Sequence, residues 1–152
     1  MRHSRQRFFG ALLGLHFGFL PLDSTAQQPA PPGQCPQARE TAKVPEEFLE
    51  RLDPPPGARD VKAAEAIYFG DGQGVSCVSC HGGKGDGRGP MAKLFDPPPR
   101  NFLCAETMAA IEDGQIFWIV RNGSPGTSMP PHKHLNDERT WQVVLYLRSL
   151  KP

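Results

Sequence analysis

The chain has 152 residues, 38% of them apolar, with 16 Gly, 17 Pro and 4 Cys. That length holds one domain of ordinary size, and so much Gly and Pro without a repeat excludes coiled coils, helical arrays and large sheet enzymes. Seventeen Lys and Arg stand against 16 Asp and Glu, and residues 27–152 hold no basic cluster, which gives no footing for nucleic-acid binding.

Residues 1–26 read as an export signal. Arg2, Arg5 and Arg7 form a basic start, an apolar run follows from Phe8 to Leu22, and Ser24-Thr25-Ala26 supplies small residues for cleavage after Ala26. The run is short for a membrane span, which needs roughly 20 residues, so no stable membrane insertion is expected after cleavage. The destination is an oxidising compartment, in a bacterium the periplasm. Removing this segment takes away three Arg and one Asp and leaves the remainder near neutral.

Residues 27–57 form a Pro-rich arm, expected to run extended and to lie on the domain that follows, with a short helix over Glu46–Leu52. Residues 58–152 form that domain. Its first helix is predicted over Asp60–Phe69: Asp60 caps it, Val61, Ala64 and Tyr68 share a face, and Gly70 stops it. A Gly-rich loop fills residues 70–90, and Asp96-Pro97-Pro98-Pro99 is a rigid turn. Short helices are predicted over Ala105–Glu112 and Gln115–Asn122, closed by Gly114 and Gly123. After a second loop, Ser124–His134, Asn136 caps a last helix with Val143, Tyr146, Leu147 and Leu150 on one face. No segment alternates as a strand does.

Cys77-Val78-Ser79-Cys80-His81 is the C-x-x-C-H pattern of covalent haem attachment. Two thiols three positions apart on a tight turn reach both vinyl groups of one porphyrin, and the next residue, His81, then lies beneath the ring and offers Nε2 to the iron. An exported chain and a Gly-rich loop that permits close approach of a flat ligand agree with this. Zinc binding would need a second Cys or His pair, which Cys35 and Cys104 do not supply, and a redox dithiol would need a βαβ setting. The other axial position has five candidates: Met91, Met108, Met129, His132 and His134. Met91 lies too close in sequence to His81 to reach the opposite face easily. Met108 reads as core, and the two histidines read as solvated loop residues. Met129, in the Pro-stiffened Thr127-Ser128-Met129-Pro130, is the expected ligand.

From Ala63 to Leu150 the chain resembles the class I cytochromes c of the small bacterial mono-haem type. The residues that carry the resemblance are Ala66-Ile67-Tyr68, Cys77-Val78-Ser79-Cys80-His81-Gly82, Gly85-Asp86-Gly87-Arg88-Gly89-Pro90, Pro97-Pro98-Pro99-Arg100-Asn101-Phe102, Ile119-Val120-Arg121-Asn122-Gly123, Thr127-Ser128-Met129-Pro130 and Trp141–Leu147. The resemblance implies an all-α cytochrome c fold of four to five short helices around one covalently bound haem, with the first and last helices crossing. It implies attachment through Cys77 and Cys80 and iron ligation by His81 and Met129. It also implies that a proline carbonyl, from Pro97, Pro98 or Pro99, accepts the Nδ1–H of His81, and that Tyr146 faces the Ala66–Tyr68 region. Pro98, Arg100, Asn101, Trp118 and Arg121 are candidate haem contacts.

Cys35 and Cys104 fall outside the pattern. Two spare thiols in an oxidising compartment are expected to pair and tie the arm to the domain. Closing a loop of about 70 residues stabilises by roughly 4 kcal/mol in the chain-entropy model.

A haem with both axial positions filled admits no substrate, so the expected role is a one-electron carrier and not an enzyme. Its partners would be redox proteins: a dehydrogenase, a quinol-oxidising complex or a terminal oxidase. Two alternatives compete. The chain could be the cytochrome subunit of a larger oxidoreductase complex, its arm wrapping a partner, or a haem-based sensor or peroxidase-like protein with an open sixth site.

Overall fold

The computed structural model describes residues 31–37, 39–49 and 53–151. The signal segment expected over residues 1–26 lies outside them. The described residues form five α-helices and three short 3-10 turns, with no strand. The helices are α1 (Val61–Phe69), α2 (Val78–His81), α3 (Ala105–Ala109), α4 (Asp113–Asn122) and α5 (Asp137–Ser149). The 3-10 turns are Glu46–Phe48, Pro56–Arg59 and Ala92–Leu94.

Helix α1 starts where the sequence places it. Asp60 Oδ1 accepts the amides of Lys62 and Ala63 at 3.0 and 3.1 Å, satisfying donors that a helix start leaves free. Its buried face is Ala64, Ile67 and Tyr68, a 3–4 spacing; Val61, assigned to that face from sequence, is 65% exposed. Helix α5 is capped by Asn136, whose side chain accepts Arg139 N–H at 2.9 Å. It crosses α1 and also packs on α4. Tyr146 meets Tyr68 with ring centroids 5.0 Å apart, the pairing the resemblance implied. Val143, Val144 and Leu147 are buried on the same helix, each contributing about 1.5–3 kcal/mol by leaving water.

Two boundaries differ from the sequence reading. Gly114 does not close a helix; it sits in the first turn of α4 and is buried. The reason is contact with the arm: a Cβ at Gly114 would lie 1.7 Å from the Phe48 carbonyl oxygen, so no side chain fits. The helix expected over Glu46–Leu52 is the single turn Glu46–Phe48, with residues 50–52 outside the described set. Phe48 stacks on Phe117 of α4 at 6.3 Å, and Phe117 packs on Trp141 of α5 at 5.0 Å.

At the far end of α5, Arg148 holds the α3–α4 connection. Its guanidinium donates to the Met108 carbonyl at 2.6 Å, to the Ile111 carbonyl, and to Asp113 Oδ1 at 2.6 Å. No helix among the described residues is long and apolar enough to cross a membrane.

Candidate functional site

Helix α2 is a single turn, which could not stand alone; the residues around it hold it. Its last carbonyls have no partner inside so short a helix. The Gly-rich loop supplies them: Gly87, Gly89 and Met91 amides donate to the His81, Cys80 and Ser79 carbonyls at 2.8, 3.1 and 3.0 Å. Tyr68, fully buried, donates its hydroxyl to the Gly82 carbonyl at 2.7 Å and joins α1 to the motif. The loop is therefore a socket for the C-x-x-C-H turn.

His81 is buried. Its Nδ1 lies 2.9 Å from the Arg100 carbonyl, which only accepts, so Nδ1 carries the proton and Nε2 keeps a lone pair. Burial pushes the His81 pKa down to about 4, against the opposing hydrogen bond to Arg100, with the charges of Arg39, His132 and Arg100 adding to the depression. The imidazole is thus neutral, as a metal ligand must be. The acceptor differs from expectation. No proline carbonyl of residues 97–99 takes the His81 proton, and the Pro99 carbonyl is engaged instead by Gln37 Nε2 at 2.9 Å. Phe102 stacks on the imidazole with centroids 4.4 Å apart.

The opposite wall comes from the loop after α4. Gly123 ends α4 at φ +84°, where a Cβ would also lie 2.8 Å from the Met129 carbonyl oxygen, so the tight turn into the loop requires glycine. Thr127 Oγ1 donates to the Ser124 carbonyl at 2.8 Å and accepts Met129 N–H at 3.1 Å. His132 N–H donates to the Val120 carbonyl at 3.0 Å, fixing the loop's exit. Met129 is half-buried.

These two walls border an open-mouthed cavity whose empty space, open solvent included, is about 1060 Å³. Cys77, Cys80, His81 and Met129 all line it, with Pro98, Phe102, Ile116, Ile119 and Val120 among its apolar surroundings. Burial raises the Cys77 thiol to about 11 and raises Cys80 as well. They are neutral thiols, unlike the low-pKa thiolates of dithiol redox centres. An apolar slot with two thiols, a neutral imidazole and a thioether suits a covalently held haem.

The remaining site residues divide. Arg100 is buried and lines the cavity. Asn101, Trp118 and Arg121 do not line it. The Asn101 side chain donates to Gly33 O at 3.0 Å and accepts Leu103 N–H at 2.9 Å. Arg121 pairs with Asp137. On α4 the cavity face is Ile116, Ile119 and Val120, and Trp118 falls off that 3–4 stripe. Among the other axial candidates, Met108 is in the core and also reaches the cavity, whereas Met91 is exposed. His132, read from sequence as solvated, is buried and lines the cavity, because its amide is tied to α4. His134 is exposed.

Beyond the expected Cys35–Cys104 tie, the arm reaches the site itself. Gln37 Oε1 accepts from the Asn101 amide at 3.0 Å and from Arg100 Nη1 at 3.4 Å. Thr41 Oγ1 accepts from Arg100 Nη2 at 2.8 Å. Arg39 and Thr41 both line the cavity. The Cys35 and Cys104 sulfurs are placed at bonding distance, with Cα atoms 5.5 Å apart.

A family model described as Cytochrome c matches residues 61–151. No curated protein matches the chain. Among solved structures, a chain of the reducing HAO-like protein complex of Kuenenia stuttgartiensis matches with 27% identity and a TM-score of 0.53. The match covers 66% of this chain and 47% of that one, so this chain corresponds to less than half of its structural neighbour.

Proposed function

The chain belongs to the cytochrome c family, and from that premise we propose that it is an exported, mono-haem electron carrier. Membership supports covalent haem c and haem-based electron transfer. The proposal adds a single haem ligated by His81 and Met129, held through Cys77 and Cys80, and a periplasmic location.

One observation carries it: Met129 and the His81 imidazole, with its Nε2 lone pair free, line the same cavity as the two thiols. When bound, a haem supplies a one-electron ferrous/ferric couple. The residues do the rest. The Arg100 carbonyl orients His81. The Gly-rich loop keeps the attachment turn rigid, so little reorganisation accompanies a change of charge. Met129, a soft thioether, favours the reduced state and raises the potential. The apolar face of α4 excludes water. Pairing of Cys35 with Cys104 belongs to the same reading, since it holds the arm against the domain. Partners are redox proteins that meet the open mouth of the cavity in brief, small-area contacts.

Mass spectrometry of the exported protein, followed by a redox titration, tests this. The expected result is a chain lacking residues 1–26 and carrying one haem, titrating as a single one-electron couple. A chain without covalent haem, or with two couples, contradicts it.

A second reading is a cytochrome subunit of a larger oxidoreductase. The match to part of a chain from a reducing HAO-like protein complex favours it. Co-purification of a stoichiometric partner under native conditions would support this reading, and an isolated monomer would count against it.

A further inference from the structure

Outside the matched segment 61–151, the arm places a second cation in the haem cavity. We propose that Arg39 and Arg100 form a paired-cation site for the two haem propionates, so that the arm is part of the cofactor site. This rests on the haem reading above.

The first observation is charge. The cavity lining includes Arg39 and Arg100 and no Asp, Glu or Lys. Neither arginine belongs to an ion pair among the described residues, where Arg121, Arg139 and Arg148 each have an aspartate. Arg100, buried, and Arg39, half-buried, stand beside an apolar lining without a counter-charge, which is costly. A haem brings two carboxylates, equal to them in number and opposite in sign.

The second observation is an orphan donor. Arg39 Nε is sealed from solvent and has no hydrogen-bond partner among the described residues, a state that buried polar groups rarely keep. The other such atom, Arg139 Nε, belongs to a guanidinium already paired with Asp71. Arg39 has no such compensation among the described residues. A carboxylate in the cavity would give it a charge-assisted bond.

The third is aim. Arg100 is held from the side by neutral acceptors of the arm, Gln37 Oε1 and Thr41 Oγ1. Those bonds orient the guanidinium without neutralising it.

Full-length Arg39→Gln, Arg39→Lys and wild-type proteins, exported and matured together, test this. Covalent haem content and the reduction potential are read on the same samples. With both cations present, Arg39 offsets propionate charge that otherwise favours ferric iron. Arg39→Gln is expected to shift the ferrous/ferric balance about tenfold toward ferric, a fall of about 59 mV for one electron. Arg39→Lys, which keeps the charge, is expected to restore most of it. A loaded Arg39→Gln protein with the wild-type potential overturns the inference and leaves the electron-transfer reading intact. Wild-type protein without covalent haem overturns both. Should Arg39→Gln yield no loaded protein, Arg39→Lys decides: recovery of haem content supports the charge role, and equal failure overturns it.

Discussion

The two walls of the cavity are built differently. The His81 wall is a web of backbone bonds: three loop amides and the Tyr68 hydroxyl satisfy the carbonyls of α2 and Gly82, and the Arg100 carbonyl fixes the imidazole. The Met129 wall is a loop stapled mainly by Thr127 and by the His132 amide, with Met129 half-buried. Local opening follows buried contacts and protected hydrogen bonds, so the distal side is the one that yields. An electron carrier needs one unyielding wall to hold the cofactor; its second wall need only keep water and small ligands out.

The comparison breaks most severely on the rigid side. Replacing Cys77 and Cys80 by Ala is expected to abolish covalent haem, measured by the spectrum that survives acid extraction. Met129→Ala leaves the His81 wall intact, so haem is retained. It is expected to lower the potential and to make the reduced protein bind CO, read from the Soret shift.

Arm and domain are tested by Cys35→Ser or Cys104→Ser. Chemical denaturation is expected to show a loss of roughly 4 kcal/mol in the chain-entropy model. Tyr68→Phe removes one donor to the Gly82 carbonyl, which keeps the Gly85 amide at 3.0 Å, so the loss is that of a single hydrogen bond, up to about 1.5 kcal/mol; thermal unfolding of the loaded protein measures it. Thr127→Val sharpens the contrast with the smallest effect. Loss of the Thr127 Oγ1 bonds costs the distal loop about 1 kcal/mol. That corresponds to a several-fold faster displacement of Met129 by cyanide, with attachment to the proximal side unchanged.

Much of this was legible because it is local. The C-x-x-C-H spacing needs only one turn of chain, and the Asp60 and Asn136 caps need only three residues. The Pro-stiffened loop that carries Met129 stands out in the sequence, and it lines the cavity. Long-range contact decided what was missed. Arg39 is a lone arginine in a Pro-rich arm; the expected Cys35–Cys104 pair brings the arm toward residue 104 but does not say that Arg39 lines the cavity. Gly114 looked like a helix stop because its real constraint, the Phe48 carbonyl, lies far along the chain. His132 looked solvated because a Pro-rich loop usually is; its bond to Val120 pulls it inward. The acceptor for His81 moved to the Arg100 carbonyl while Gln37 took that of Pro99, a competition between the arm and the site.

The most direct test of His81/Met129 ligation is an absorption spectrum of the purified exported protein, oxidised and reduced, with and without CO. The account predicts a weak far-red sulfur-to-iron band in the oxidised form and no change on adding CO to the reduced form. A missing sulfur band with rapid CO binding would contradict it and move an open-site sensor or peroxidase-like role to the front.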